Sequence, residues 1–173
     1  MIKQEPAKGP VFESAVLGTS GVERGFFYNP NQKVDFKSEI DKVKSTQGCI
    51  GKWNPKSPST ETSSVLFGYV ISNLEDNRRD DLRFYSALGT SLDVHYGIDC
   101  FFLLKNRDYD SIFSIDLTTN PRKVESKADV VIHPEDFQNE DFLKETGRKI
   151  ANFLTRRPLK NDKKHFIFKN TKR

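Results

Sequence analysis

The sequence predicts an α/β fold, a mixed sheet flanked by helices. Three observations carry that expectation. First, the apolar run Tyr96–Leu104, the polar link Lys105–Asp110 and the run Ser111–Thr118 read as a β-hairpin. Second, Ala128–His133 reads as a third strand, interrupted at Pro134. Third, Asn139–Thr155 carries Phe142, Leu143, Ile150, Phe153 and Leu154 on one helical face.

The flanking segments follow in order. Residues 1–34 hold Gly9-Pro10, Gly18, Gly21, Gly25 and Asn29-Pro30, which are turn signals. A short strand at Val11–Leu17 or Gly25–Tyr28 is the most order they predict. Asp35–Lys44 reads as a helix, with Phe36, Ile40 and Val43 at i, i+4 and i+7. Gly48, Gly51, Pro55 and Pro58 make 45–60 a loop. Glu61–Leu74 reads as a helix capped by Ser59 or Thr60, with a strand at Val65–Ile71 as its competitor. Asp80–Leu88 reads as an amphipathic helix, with Leu82, Tyr85 and Leu88 spaced by three and Gly89 closing it. His165–Phe168 is a candidate edge strand. The chain therefore divides into a loop-rich extension (1–60), a core (61–157) and a basic tail (158–173).

Leu, Ile, Val and Phe supply 47 of 173 residues, enough for one core. No run approaches the ~18 apolar residues of a membrane span, and no apolar stretch follows the N-terminal charge. Cys49 and Cys100 can build neither a disulfide framework nor a four-ligand zinc site. The expectation is a soluble, cytoplasmic protein with free thiols. The net charge of +4 hides a gradient: Leu143–Arg173 holds 11 Lys and Arg against Glu145 and Asp162. Such an excess suits phosphate contacts and predicts a nucleic-acid partner. Arg156, Arg157, Lys160, Lys163 and Lys164 are its candidate contacts.

Two carboxylates stand where burial is costly. Asp99 lies between Ile98 and Cys100, and Asp116 between Ile115 and Leu117. Side chains alternate along a strand, so Asp99 goes with Phe101 and Asp116 with Ser114. If those faces coincide across the hairpin, the acids converge and call for a cation. Oxygen ligands select Mg²⁺ or Mn²⁺. His95 and Asp93 stand close by in sequence; His133 and His165 have no visible partner, and no zinc spacing exists. Phosphate-binding glycine loops and serine-nucleophile elbows are absent. Trp53 and Phe26, Phe27 and Tyr28 are aromatic enough to stack on bases, although such residues more often anchor loops.

An acid in Gly97-Ile-Asp99-Cys-Phe, a hairpin turn, then Ile115-Asp116-Leu-Thr118 resembles the core of the PD-(D/E)xK nuclease superfamily. That resemblance covers about residues 60–155. It implies the restriction-endonuclease-like fold, a sheet and helices in the order αβββαβ. It further implies Asp99 and Asp116 as catalytic metal ligands, joined by the Leu117 carbonyl, with Mg²⁺ or Mn²⁺ as cofactor and DNA as partner. A further acid often comes from an upstream helix; Glu61 is the first candidate and Glu75 the second. The motif lysine is replaced by Thr118, which carries no charge. Lys123 is the nearest substitute, ahead of Lys127 and Lys105. The implied function is a Mg²⁺-dependent nuclease; the alternative is an inactive nuclease-like domain that binds nucleic acid or protein.

Overall fold

The computed structural model describes residues 9–18, 35–47, 53–123, 126–156 and 166–169. Helix α1 (Gly9–Leu17) opens with Pro10 in its first turn and ends at Gly18, whose φ is +68°. This corrects the expectation of a strand at Val11–Leu17. Phe12, Val16 and Leu17 share a buried helical face, at i, i+4 and i+5. The alternative strand, Gly25–Tyr28, lies outside the described residues.

Helix α2 (Phe36–Gln47) begins where Asp35 accepts a hydrogen bond from the Ser38 amide (3.0 Å). It runs past Lys44 and sends the Gln47 amide to both backbone groups of Ser86. Helix α3 (Glu61–Ser72) is capped by Thr60, as expected, and prevails over the strand reading. Thr60 also donates its hydroxyl to the Val16 carbonyl, tying the end of α1 to the start of α3.

After a short helix, α4 (Asp76–Arg79), comes strand β1 (Leu82–Ser86). The expected helix over Asp80–Leu88 is therefore corrected. Leu82 and Phe84 face one core and Tyr85 the other, a period of two that the spacing of Leu82, Tyr85 and Leu88 concealed. The outer edge of β1 is covered: the Phe84 amide donates to Pro55 O (2.8 Å) and Trp53 Nε1 to Phe84 O (2.8 Å). Trp53 is thus a buried anchor rather than a base-stacking platform.

Helix α5 (Ser91–Tyr96) takes the start of the run predicted as strand. Gly97, at φ +62°, ends it, and β2 (Cys100–Lys105) starts only at Cys100. Strand β3 (Tyr109–Leu117) completes the hairpin, and β4 (Val130–Ile132) runs parallel to it. A 3-10 turn (Pro134–Gln138) leads into α6 (Glu140–Thr155), capped by Asn139. Strand β5 (Phe166–Lys169) falls on the expected edge strand and inside the basic tail.

The sheet runs β1-β2-β3-β4, antiparallel except for the last pair, and β5 also joins β3. Beside β3, β4 takes Ile115–Leu117 and β5 takes Tyr109–Ile112. Helices cover both faces. Phe84, Phe102, Ile115 and Leu117 pack with α1, α3 and α6; Tyr85, Phe101, Leu103 and Ile112 pack with α2 and α5. The mixed sheet flanked by helices is as expected. The order is not simply αβββαβ, because β4 precedes α6.

Helices α3 and α6 meet at Gly147. A Cβ there would lie 2.6 Å from Tyr69 Cβ and 2.9 Å from the Tyr69 carbonyl carbon. Gly147→Ala should cost about 1–3 kcal/mol, because backbone must move. Gly68 on α3 has no atom within 4 Å of its virtual Cβ, so Gly68→Ala should stabilise by about 0.5–1 kcal/mol. Urea unfolding of both variants checks the pair; a neutral Gly147→Ala would mean that the helices can separate freely.

Candidate active site

The hairpin places the two acids at one end of the sheet. The regular β2–β3 ladder begins at Cys100 opposite Ile115, so Asp99 and Asp116 are the next residues outward. Asp116, within β3, shares a face with Ser114 and Ile112, the face covered by α2 and α5. Asp99 precedes β2 and leaves the regular ladder, its amide donating to Ile115 O, on the partner of Cys100. Asp99 is 4% exposed and Asp116 2%.

Asp99 is clamped by its neighbours. Its amide donates to Ile115 O (2.9 Å) and its carbonyl accepts from Ala87 N (2.7 Å). Its Oδ2 accepts from Leu117 N at 2.6 Å, doing at the ladder's end what a backbone carbonyl does within it. Burial pushes the Asp99 carboxyl up to about 8. The charges of Asp93, Glu13 and Asp116 push the same way, against the Leu117 hydrogen bond. Asp99 is thus an acid short of positive charge.

Asp116 has the opposite surroundings. Lys123 Nζ lies 2.6 Å from its Oδ2, and Ser126 Oγ donates to the same oxygen at 2.6 Å. The Lys123 side chain is 36% exposed, so its ammonium joins a buried carboxylate to solvent. The turn after Asn120-Pro121 brings it back, with Lys123 N donating to Asn120 O (3.0 Å). Gly97 lies beside Asp116: a Cβ there would sit in ordinary contact, 3.5 Å from Asp116 Oδ2, and it is the φ of +62° that demands glycine.

The other candidates are spread more widely. Glu61 is exposed in the first turn of α3 and Glu75 is exposed before α4; neither side chain makes a hydrogen bond or ion pair among the described residues. The upstream acid whose charge reaches Asp99 is Glu13 on α1. Nothing in the sequence singles out Glu13 itself; Pro10, Phe12, Val16 and Gly18 mark only the helix that bears it. Lys127 is committed to α5, donating to His95 O (3.0 Å) and lying 5.6 Å from the Tyr96 ring centroid. Lys105 is at the far end of β2, opposite Asp110. Asp93 accepts from Gly89 N (2.8 Å). Arg156 is exposed at the end of α6; Arg157, Lys160, Lys163 and Lys164 lie outside the described residues.

Among the described residues, no three His, Cys, Asp or Glu side chains gather into a metal-holding group. The pair still suits a hard cation chemically: two buried carboxylates share one end of the sheet, and only Asp116 has a cationic partner. No helix among the described residues is long and apolar enough to cross a membrane. No protein-family model, curated protein or solved structure matches the chain.

Proposed function

We propose that this protein is a divalent-metal-dependent nuclease acting on DNA, built on a restriction-endonuclease-like core. One observation carries the reading: Lys123, from outside the motif position, brings its ammonium to within 2.6 Å of a buried acid that neighbours a second buried acid. Asp99 and Asp116 would hold Mg²⁺ or Mn²⁺, with the Leu117 carbonyl as a third oxygen. The metal, when bound, would activate water and polarise the phosphate. Lys123 would offset the charge that grows on the phosphate, the task of the lysine that Thr118 replaces. Ser126 is a positioning residue, holding the Asp116 carboxylate.

A second reading is favoured by the same contacts. Lys123 and Ser126 already satisfy Asp116, as in a closed ion pair that supports a binding module. Calorimetric titration with Mn²⁺, beside a cleavage assay on single-stranded, duplex and branched DNA, separates the two. The nuclease reading expects binding at low-millimolar Mn²⁺ or tighter, lost in Asp99→Asn/Asp116→Asn, and cleavage lost with it. Metal-independent folding with neither binding nor cleavage would leave the binding module.

A further inference from the structure

A cleft of about 460 Å³ opens between α6 and the β3–β4 side of the sheet, away from the acid pair. Its α6 wall carries one stripe. Phe142, Lys149, Phe153 and Arg156 recur at i, i+7, i+11 and i+14, with Arg148 and Asn152 beside them. Along the helix axis Phe142 and Arg156 are ~21 Å apart. Both rings are partly buried: they pack on the core with one part and line the cleft with another. The Phe153 ring is held edge-on by Phe113 (5.1 Å, 82°), so it is pre-oriented.

The charge is asymmetric. Arg148 is engaged by Glu145 (2.6 and 2.8 Å), and Lys149 only loosely (3.8 Å). Arg156 makes no ion pair among the described residues. The acid on the opposite wall, Asp129, is occupied: its Oδ2 accepts from Ser114 N and Oγ, both at 2.7 Å. Cations alternating with aromatic rings along a groove fit a polyanion that also has flat faces to stack.

The cleft is connected to the acid pair by a very short piece of chain. Ser126 bonds Asp116, and Asp129, three residues on, lines the cleft. Three residues span at most ~11 Å, a few nucleotides of one strand. We infer that the α6 cleft is the binding groove for unpaired nucleic acid, holding the strand that runs round the β4 edge to Asp99 and Asp116. Unpaired bases are required because Phe142 and Phe153 can stack only on exposed ring faces. The inference rests on the nuclease reading for the destination of the strand, but binding is measured without it.

The test is fluorescence anisotropy of a labelled twelve-nucleotide dT strand in EDTA, over a salt series. Lys149→Ala/Arg156→Ala should bind at least tenfold more weakly. Its slope of log K against log salt should be shallower by about 1.4, for two lost phosphate contacts on a single strand. Phe142→Leu, which keeps an apolar side chain but loses the ring, should weaken the strand and leave polyphosphate unchanged. An abasic strand of equal length should bind wild type about tenfold more weakly. Unchanged binding by the double variant, equal binding of the abasic strand, or tighter binding of duplex or polyglutamate would overturn the inference. A protein that binds dT in EDTA but cleaves nothing in Mn²⁺ would sink the nuclease reading and keep the groove. Cleavage with normal binding by the double variant would do the reverse.

Discussion

Asp99→Asn should make the metal-free protein more stable at pH 8, by about 2–4 kcal/mol. The Asp99 carboxyl is buried, and its folded-state value of about 8 lies far above the ordinary 3.8. Below pH ~4 it is protonated in both folded and unfolded chains, so it costs nothing. As pH rises from 4 to 8 the unfolded chain releases the proton and the folded chain keeps it, so stability falls across that window. Above pH 8 both are ionised and the loss is constant. Each unit of difference is worth ~1.4 kcal/mol, which bounds the total at roughly 5–6 kcal/mol; incomplete burial and relaxation reduce it. Asparagine keeps an oxygen for the Leu117 amide and carries no charge. The two proteins should therefore match at pH 4 and diverge toward pH 8 in urea unfolding. Mn²⁺ at pH 8 should return the missing stability to wild type and do nothing for Asp99→Asn. A gain that does not depend on pH, or a loss, would show that the Asp99 charge is not what strains the site.

Lys123→Ala should lower turnover by roughly 10²-fold or more while leaving the protein able to bind Mn²⁺. The ammonium is the one positive side chain seated on the acid pair among the described residues. Removing it strips a buried carboxylate of its partner, so stability at pH 7 should also fall, by about 1–3 kcal/mol. The lysine's 36% exposure keeps that below the cost of breaking a fully buried pair. Asp116→Asn placed on Lys123→Ala should restore the stability and not the turnover, since it removes the uncompensated charge together with a carboxylate proposed to hold the metal. Lys123→Arg should recover only part of the rate, because a planar fork does not fill the place of a compact ammonium. Mn²⁺ should stabilise Lys123→Ala more than it stabilises wild type, because the lysine would compete with the proposed metal for the Asp116 carboxylate. Wild-type rates in Lys123→Ala would remove this lysine from the chemistry.

The parts legible in the sequence were those whose signal is local. The hairpin, α2, α3, α6 and β4 each carry their own periodicity or cap, and β5 was visible as His165–Phe168 despite its polar setting. Four elements were hidden: the helices α4 and α5, of four and six residues, are too short to show a helical period, and β1 and α1 were masked in other ways. In β1, Arg83 stands between Leu82 and Phe84, and a strand of five residues is too short for its alternation to outweigh a chance spacing of three. In α1, glycine and proline signals masked a helix that those same residues delimit. At the site, burial cost made Asp99 and Asp116 stand out, and Lys123 followed from proximity to the turn. Ser126 and Glu13 could not follow, because the contact of one and the charge coupling of the other arise only when the chain has folded.

The far side of β3 sets a constraint on how the protein can be made. Its Tyr109–Ile112 half waits for Lys169–Phe166, which are synthesised more than fifty residues later. A ribosome adding ~5–20 residues per second leaves that row of backbone groups open for several seconds. During the wait, the same segment of a neighbouring nascent chain is an equally good template. Shortening the chain after Arg157, a natural way to remove its positive charges, would make that interval permanent. A truncated protein should therefore be judged first by its sedimentation, and only then by what it binds.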